Sequence, residues 1–492
     1  MNRYFLLMGL LALMNLSLAQ NRYTLEDVIR LAQNQSPFAK QAITQKETSY
    51  WQYISYKTNY NPQLRLGAMA PYASGYSNIS QNDGSYAFRL ATNFTPSMNL
   101  GLEQPIPWTG GVISMNTSYL YINSVAPQPT PTDPLASVKR EGWQSSLYNI
   151  KLTQPVFSYN QLRWDKKTKP IILEESKRQY VQTLESISKE AASRFFDVLT
   201  SQINEQIASF NLANNDTIHK IEQGRYNIGT TSQDKLLQVE LQLLKSRQDV
   251  AQAKLDLQNN KLKLRTYIGV KDGESFDLIL PETVPSFDLT EEEALGIAKK
   301  YRADYIAFER KRIEAEAAVA FAKGQRYQAS ITASYGLNNS AVVIPDLYRG
   351  PSNQQIGTVS FNIPVIDWGR RRSLMQTAYA NKRLTDFLIA QDQVNFEQEI
   401  ITQVRQFELL RLQIEITKKS DEVAQQRYAV SQNRYLIGKI DITNLGIALT
   451  EKDNAKRSYI QALKSFWTAY FNLRSLTLYD FAAGKELYQR VD

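Results

Sequence analysis

The chain has 492 residues, a formal net charge of +9, 43% hydrophobic residues, one histidine and no cysteine. That length allows two or three ordinary domains or one large body with internal repetition, and the apolar content excludes a disordered chain. The missing cysteines exclude disulfide scaffolds, thiolate zinc sites and thiol nucleophiles together, and a modest charge mixed in sign along the helical text offers no nucleic-acid stripe.

Met1-Asn2-Arg3, the apolar run from Tyr4 to Leu13 and Ser17-Leu18-Ala19 read as a charged, an apolar and a cleavage segment, so residues 1–19 are expected to be a signal peptide cut after Ala19. No cysteine follows the cut, which argues against a lipoprotein. Residues 20–60 read as one helix from Thr24 to about Asn59, acidic at its start. Residues 61–158 are rich in Tyr, Ser, Asn, Gly and Pro and read as strands at 61–70, 97–106, 111–123 and 145–155. Between them lie long turn-rich loops at 72–95 and 124–144, the latter holding Pro127, Pro129, Pro131 and Pro134, and a tight connection at Trp108-Thr109-Gly110-Gly111. Residues 159–267 form a long helical hairpin broken at Arg225-Tyr226-Asn227-Ile228-Gly229-Thr230-Thr231; Pro170 is expected to kink its first helix or mark its true start. Residues 268–289 read as an irregular connector with Pro281 and Pro285.

The order then repeats: a helix over 290–325, strands and a loop (338–353) over 326–368, a long hairpin over 369–476 broken at Arg434-Tyr435-Leu436-Ile437-Gly438, and a tail at 477–492. Pro155-Val156-Phe157 and Pro364-Val365-Ile366 open the two long helical regions at an offset of 209, and the two Arg-Tyr-x-x-Gly breaks keep it. Equal lengths in two halves suggest long helices that must end at the same height. From Asn160 to Gly224 such a helix is about 97 Å long, and it needs lateral partners to fold.

The strand text alternates with period two. Val359, Phe361 and Ile363 share one face and Thr358, Ser360 and Asn362 the other; Tyr148, Ile150 and Leu152 stand against Asn149, Lys151 and Thr153. One apolar and one polar face, with long loops at one end and a tight turn at the other, favour a transmembrane β-barrel over a soluble sandwich. The fold class expected is therefore mainly α with a transmembrane β-barrel, in two internal repeats of helix, strands, long helix, turn and helix.

At this point the residues resemble the TolC-like outer-membrane efflux protein family. The resemblance rests on Asn362-Ile363-Pro364-Val365-Ile366-Asp367-Trp368-Gly369-Arg370-Arg371 and Thr153-Gln154-Pro155-Val156-Phe157 at strand–helix junctions, on the two Arg-Tyr-x-x-Gly turns and on the Glu293-Ala294 helix opening, and it covers nearly the whole mature chain. It implies a homotrimer whose shared barrel continues into a long α-helical periplasmic tunnel. It also implies a periplasmic adaptor protein and an inner-membrane RND or ABC-type transporter as partners, with an exit duct for drugs or other small molecules, or alternatively the outer-membrane part of type I protein secretion. An exported coiled-coil scaffold is the alternative of another class. The family pattern has two strands per repeat, and the four strands expected in repeat one depart from it.

Gly229 and Gly438 suit φ > 0 where a long helix reverses. The resemblance implies that these turns form a periplasmic tip that meets the adaptor and closes the channel, with Arg225, Tyr226, Asp234, Arg434, Tyr435 and Asp441 making the closing contacts. Pro155, Pro364, Asp367 and Gly369 mark the strand–helix junctions. Arg163, Lys166, Lys167, Lys169, Arg370, Arg371 and Arg372 stand near helix starts, where a cation opposes the helix dipole, and are candidates for lipid headgroup contact at the membrane boundary. Trp51, Tyr53, Tyr56, Tyr60, Trp108, Trp143, Tyr148, Trp164 and Trp368 are candidates for an aromatic girdle, and packing inside the upper helical bundle explains Trp51 and Tyr53 equally well. His219 is read as a surface or packing residue. No nucleophile, phosphate-loop or metal-spaced motif is present in the sequence, so no catalytic site, cofactor or metal is expected.

Overall fold

A computed structural model of the chain describes residues 21–80, 84–128, 136–270, 276–281 and 283–488; the expected signal peptide at 1–19 and Pro129, Pro131 and Pro134 lie outside the described residues. Contacts divide the chain into two compact units, one from the residues up to Thr48 with Glu174–Ile306 and Gln391–Asp492, the other from Ser49–Leu173 and Ala307–Ala390.

In chain order the helices are α1 (Leu25–Gln35), α2 (Pro37–Thr58), α3 (Gln161–Asn227), α4 (Gln233–Ile268), α5 (Glu291–Tyr301), α6 (Ala303–Gly324), α7 (Arg370–Leu436) and α8 (Ile442–Thr477). The duplication holds residue for residue: α1 and α5 have 11 residues, α2 and α6 have 22, α3 and α7 have 67, and α4 and α8 have 36. The caps repeat as well. Thr24 accepts from the Asp27 amide and the Asp27 carboxylate returns to the Thr24 amide, while Thr290 accepts from the Glu293 amide.

Each expected N-terminal helix of a repeat is in fact two helices, with Ser36 and Arg302 extended between them. Ser36 precedes Pro37, whose ring disfavours a helical conformation there. Arg302 has no proline after it; its guanidinium is held by Asp304 at 2.6 Å and Glu399 at 3.2 Å and lies over the Phe396 ring. Pro170 sits inside α3, which starts at Gln161, so it does not mark the helix start.

The first unit packs its helices around Phe195, Phe196, Leu264, Ile268, Ile460 and Phe466. The connector expected to be irregular contributes a strand: β1 (Asn21–Tyr23) pairs in parallel with β8 (Phe276–Leu278). Arg474 grips buried Glu185 through two nitrogens, at 2.8 and 3.0 Å, and also Asp480 at 2.9 Å. Asp480 belongs to a small tail hairpin of β11 (Tyr479–Asp480) and β12 (Lys485–Glu486).

The second unit holds an antiparallel sheet of β2 (Gln63–Met69), β3 (Tyr72–Ser80), β4 (Tyr86–Phe94), β5 (Ser97–Ile106), β6 (Gly111–Pro127), β7 (Ser137–Val156), β9 (Gln328–Ala341) and β10 (Ser352–Asn362). Here the loop expectation for 72–95 is corrected: β3 and β4 form a ladder there from Tyr72↔Phe94 to Ser80↔Tyr86. The 124–144 loop is also shorter than expected, because β6 runs to Pro127 and β7 starts at Ser137. Ser, Gly and Asn lower local strand propensity, and cross-strand pairing overrides it. β2 and β3 keep one register against β5 and β4 across Pro71, so they are two segments of one strand position. The sheet thus has six positions, in the order β2/β3, β5/β4, β6, β7, β9, β10.

Candidate tip and sheet surfaces

Within the first unit, the two helical reversals are built alike. After α3, the Gly229 amide donates to the Tyr226 carbonyl at 2.9 Å and the Thr230 amide to the Arg225 carbonyl at 2.8 Å; after α7, Gly438 to Tyr435 and Lys439 to Arg434 repeat both distances. Gly229 (φ 72°) and Gly438 (φ 71°) occupy the left-handed region that closes a helix in this way. The helices that follow are capped by Ser232, which accepts from the Lys235 amide, and by Asp441, which accepts from the Asn444 amide at 2.9 Å. Asp234 is therefore not the counterpart of Asp441; it stands in the first turn of α4, where an acid complements the helix dipole.

The side chains break this symmetry. Tyr435 is 2% exposed and Tyr226 is 40% exposed. The Tyr435 hydroxyl donates to Glu222 Oε1 at 2.6 Å, Arg225 Nη1 meets the same oxygen at 2.7 Å, and the Arg225 guanidinium lies over the Tyr435 ring. Burial raises the Glu222 pKa, but hydrogen bonds from Tyr435, Thr231 and Arg225 outweigh it and hold the carboxyl below its ordinary value. Burial and the Glu222 contact push the Tyr435 phenol up. Around them pack Ile218, Val239, Tyr428, Leu445 and Leu449. Arg434 is exposed. Glu222 was missed in the sequence because it stands one turn before the Arg-Tyr motif, on a helix dense in charge. The period of a helix places residue 222 beside residue 225, and that was the only local signal.

Among the junction residues, Asp367 accepts from the Gly369 amide at 3.0 Å and the Arg371 amide at 3.2 Å, capping α7. Gly369 has φ 84°. Pro155 pairs with Ser330 within the β7–β9 ladder, and Pro364 follows the end of β10. In the first half the equivalent cap is Asn160, which accepts from the Arg163 amide at 3.1 Å. Of the basic candidates, Arg371 is engaged by Asp367 and the Arg326 carbonyl, and Lys167 lies over the Trp164 ring at 4.7 Å. Arg163, Lys166, Arg370 and Arg372 are exposed, and Lys169 is partly covered. Trp108 and Trp368 are also exposed.

The sheet carries a continuous polarity. Leu64, Leu102, Met115, Ile150 and Tyr335 make one cross-strand row, and all five are exposed. Gln63, Glu103, Ser114, Lys151 and Ser334 make the neighbouring row on the opposite face. Val359 and Phe361 continue the apolar face onto β10. No helix among the described residues is long and apolar enough to cross a membrane, and no group of metal-ligating side chains occurs among them.

Paired long helical hairpins and an amphipathic antiparallel sheet in one chain are the features of an outer-membrane channel protein. The chain belongs to the outer membrane efflux protein family, whose model matches residues 124–270 and 298–477, one segment in each repeat. It is similar in fold to the Campylobacter jejuni CmeC outer membrane channel (15% identity, 95% of this chain and 87% of that one, TM-score 0.65). It is similar to the outer-membrane channel OprN (14%, 94% and 91%, TM-score 0.65) and to CusC (14%, 92% and 91%, TM-score 0.63), whose structures concern folding and transmembrane channel formation. A comparison with curated protein sequences gives no match.

Proposed function

We propose that three copies of this chain form the outer-membrane duct of a tripartite export system, receiving small molecules from an inner-membrane RND or ABC-type transporter through a periplasmic adaptor. The observation that carries the reading is the exposed, largely apolar face of the sheet together with two helical hairpins of identical length. An exposed row such as Leu64, Leu102, Met115 and Ile150 has no place in water but suits a lipid-facing barrel wall. Identical hairpins give a tunnel wall whose members end together. Residues 1–19 act as the export signal. The exposed cations Arg163, Lys166, Arg370 and Arg372 meet anionic lipid headgroups.

The two Arg-Tyr-x-x-Gly turns are the tip of the duct and dock the adaptor. The Tyr435–Glu222–Arg225 contact holds the two hairpins of one copy together there in the closed state. Exposed Tyr226 and Arg434, which occupy the equivalent places on the outer sides, face neighbouring copies. The test is planar-bilayer recording of detergent-purified mature protein, with its oligomeric mass measured in parallel. Trimers with low basal conductance, raised several-fold by Glu222→Ala, support the duct and its gate. A monomer soluble without detergent and lacking conductance would instead promote the exported coiled-coil scaffold.

A further inference from the structure

The offset between the halves is 266 from α1–α2 to α5–α6 but 209 from α3–α4 to α7–α8, so repeat one carries 57 more residues in its strand region. They correspond to one additional hairpin, and four observations bear on where it belongs. First, β5 pairs with β6 without interruption from Ser97↔Leu120 to Ile106↔Gly111, and β2 pairs with β5 from Gln63↔Glu103 to Met69↔Ser97. Second, the hairpin has the same polarity as the rest of the sheet: Leu64, Leu66, Met98, Leu100 and Leu102 continue the apolar face. Third, Arg65 and Glu103, 4.0 Å apart, both lie on the polar face. Fourth, the sheet ends on open edges, of which the β2 edge carries one charge, Arg65. β10 is an unshifted 11-residue strand and β2 has 7 residues; neither contains proline or lysine, and each pairs on one side alone among the described residues. Such edges invite another strand.

We infer that this hairpin is built into the membrane wall and that its β2 edge pairs with the β10 edge of a second copy, so that three copies of a six-position sheet close an eighteen-stranded barrel. The number of copies rests on the duct reading; the six positions per copy do not. Chain direction selects this pairing. β2 runs away from its helix-connected end and β10 runs toward its own, so they meet antiparallel with all helix-connected ends on one side. Pairing β2 with β2 would turn alternate copies upside down, whereas a head-to-tail β2–β10 contact repeats and closes a ring. Aligning the helix-connected ends sets Leu64 near Phe361 and Leu66 near Val359, apolar against apolar. Pro71, which has no amide hydrogen, limits the shared ladder to the β2 segment. A wall of about eighteen strands leaves an aqueous channel along its polar face.

The chain has no native cysteine, so paired substitutions read the contact directly. In the full-length protein in outer membranes, L66C/V359C and L64C/F361C, treated with a short thiol-specific bifunctional linker, are expected to convert most of the chain into covalent oligomers ending at a trimer. M115C/V359C is expected to stay uncrosslinked, because β6 is occupied by β5. The single-cysteine variants establish folding through the same heat-labile trimer as wild type. Crosslinks only in M115C/V359C would overturn the inference by placing the hairpin outside a four-strand-per-copy wall while leaving the duct reading intact. Intact trimers with no crosslink from either β2 pair would also overturn it. Failure of wild-type protein to form any oligomer would end the duct reading and, with it, the eighteen-strand closure.

Discussion

The helical regions of the two halves match to the residue, and the strand regions differ by a whole hairpin. The difference follows from how each kind of structure is extended. Helices packed side by side share contacts along their length, so a change in one hairpin misplaces every later contact, the Glu222–Tyr435 bond at its end included. A sheet grows at its edge, where two added strands satisfy the old edge and present a new one. Length was held fixed where the packing is lateral, and strand number changed where growth is by addition.

The most severe way to break this comparison is to remove seven residues from α3 and seven facing residues from α4, leaving the second hairpin untouched. The first reversal then falls about 10 Å short of the second. The Glu222–Tyr435 contact is lost, and basal conductance in bilayers should rise to that of Glu222→Ala or beyond. The matched deletion in all four long helices should restore low conductance.

Arg474 sharpens the comparison within the helical core. Removing it by Arg474→Met leaves Glu185 buried without its cation, and thermal or denaturant unfolding should show a loss of about 3–5 kcal/mol. Burial already raises the Glu185 pKa although Arg474 lowers it, so in this variant the carboxyl should take up a proton at higher pH than in wild type, and the deficit should shrink on acidification.

The two tip tyrosines test the asymmetry between halves. Tyr435→Phe removes a hydrogen bond to a carboxylate and should weaken the hairpin contact by about 1.5–3 kcal/mol, seen as increased channel opening. Tyr226→Phe should change an isolated copy by less than about 0.5 kcal/mol. Because Glu222 is held below its ordinary value, its contribution is fully present above about pH 4.5 and is lost as pH falls through its depressed folded value. The excess opening of Glu222→Ala over wild type should therefore be independent of pH above that range and should shrink as pH falls below it. Between the two tyrosine effects lie the glycines: Gly229→Ala and Gly438→Ala each place a Cβ in the left-handed region and should cost about 1–2 kcal/mol, equally in the two halves. An unequal cost would show that one reversal carries strain the other lacks.

The sequence alone determined the duplication, the long helices, the two glycine reversals and the alternation of the sheet, because each depends on residue type at a fixed local period. Helix period, turn glycine and strand parity are all properties of neighbours in the chain. Other features were decided only by tertiary structure. The extended Arg302 that splits α5 from α6 depends on Glu399, nearly one hundred residues away. Strands β3 and β4, read as loop from their Ser, Gly and Asn content, exist because each satisfies the other's backbone. Glu222 became part of the tip through Tyr435, 213 residues away. For Arg302 and Glu222 the deciding partner is far along the chain and near in space, and for β3 and β4 it is the facing strand of the same hairpin; local period carries no record of either.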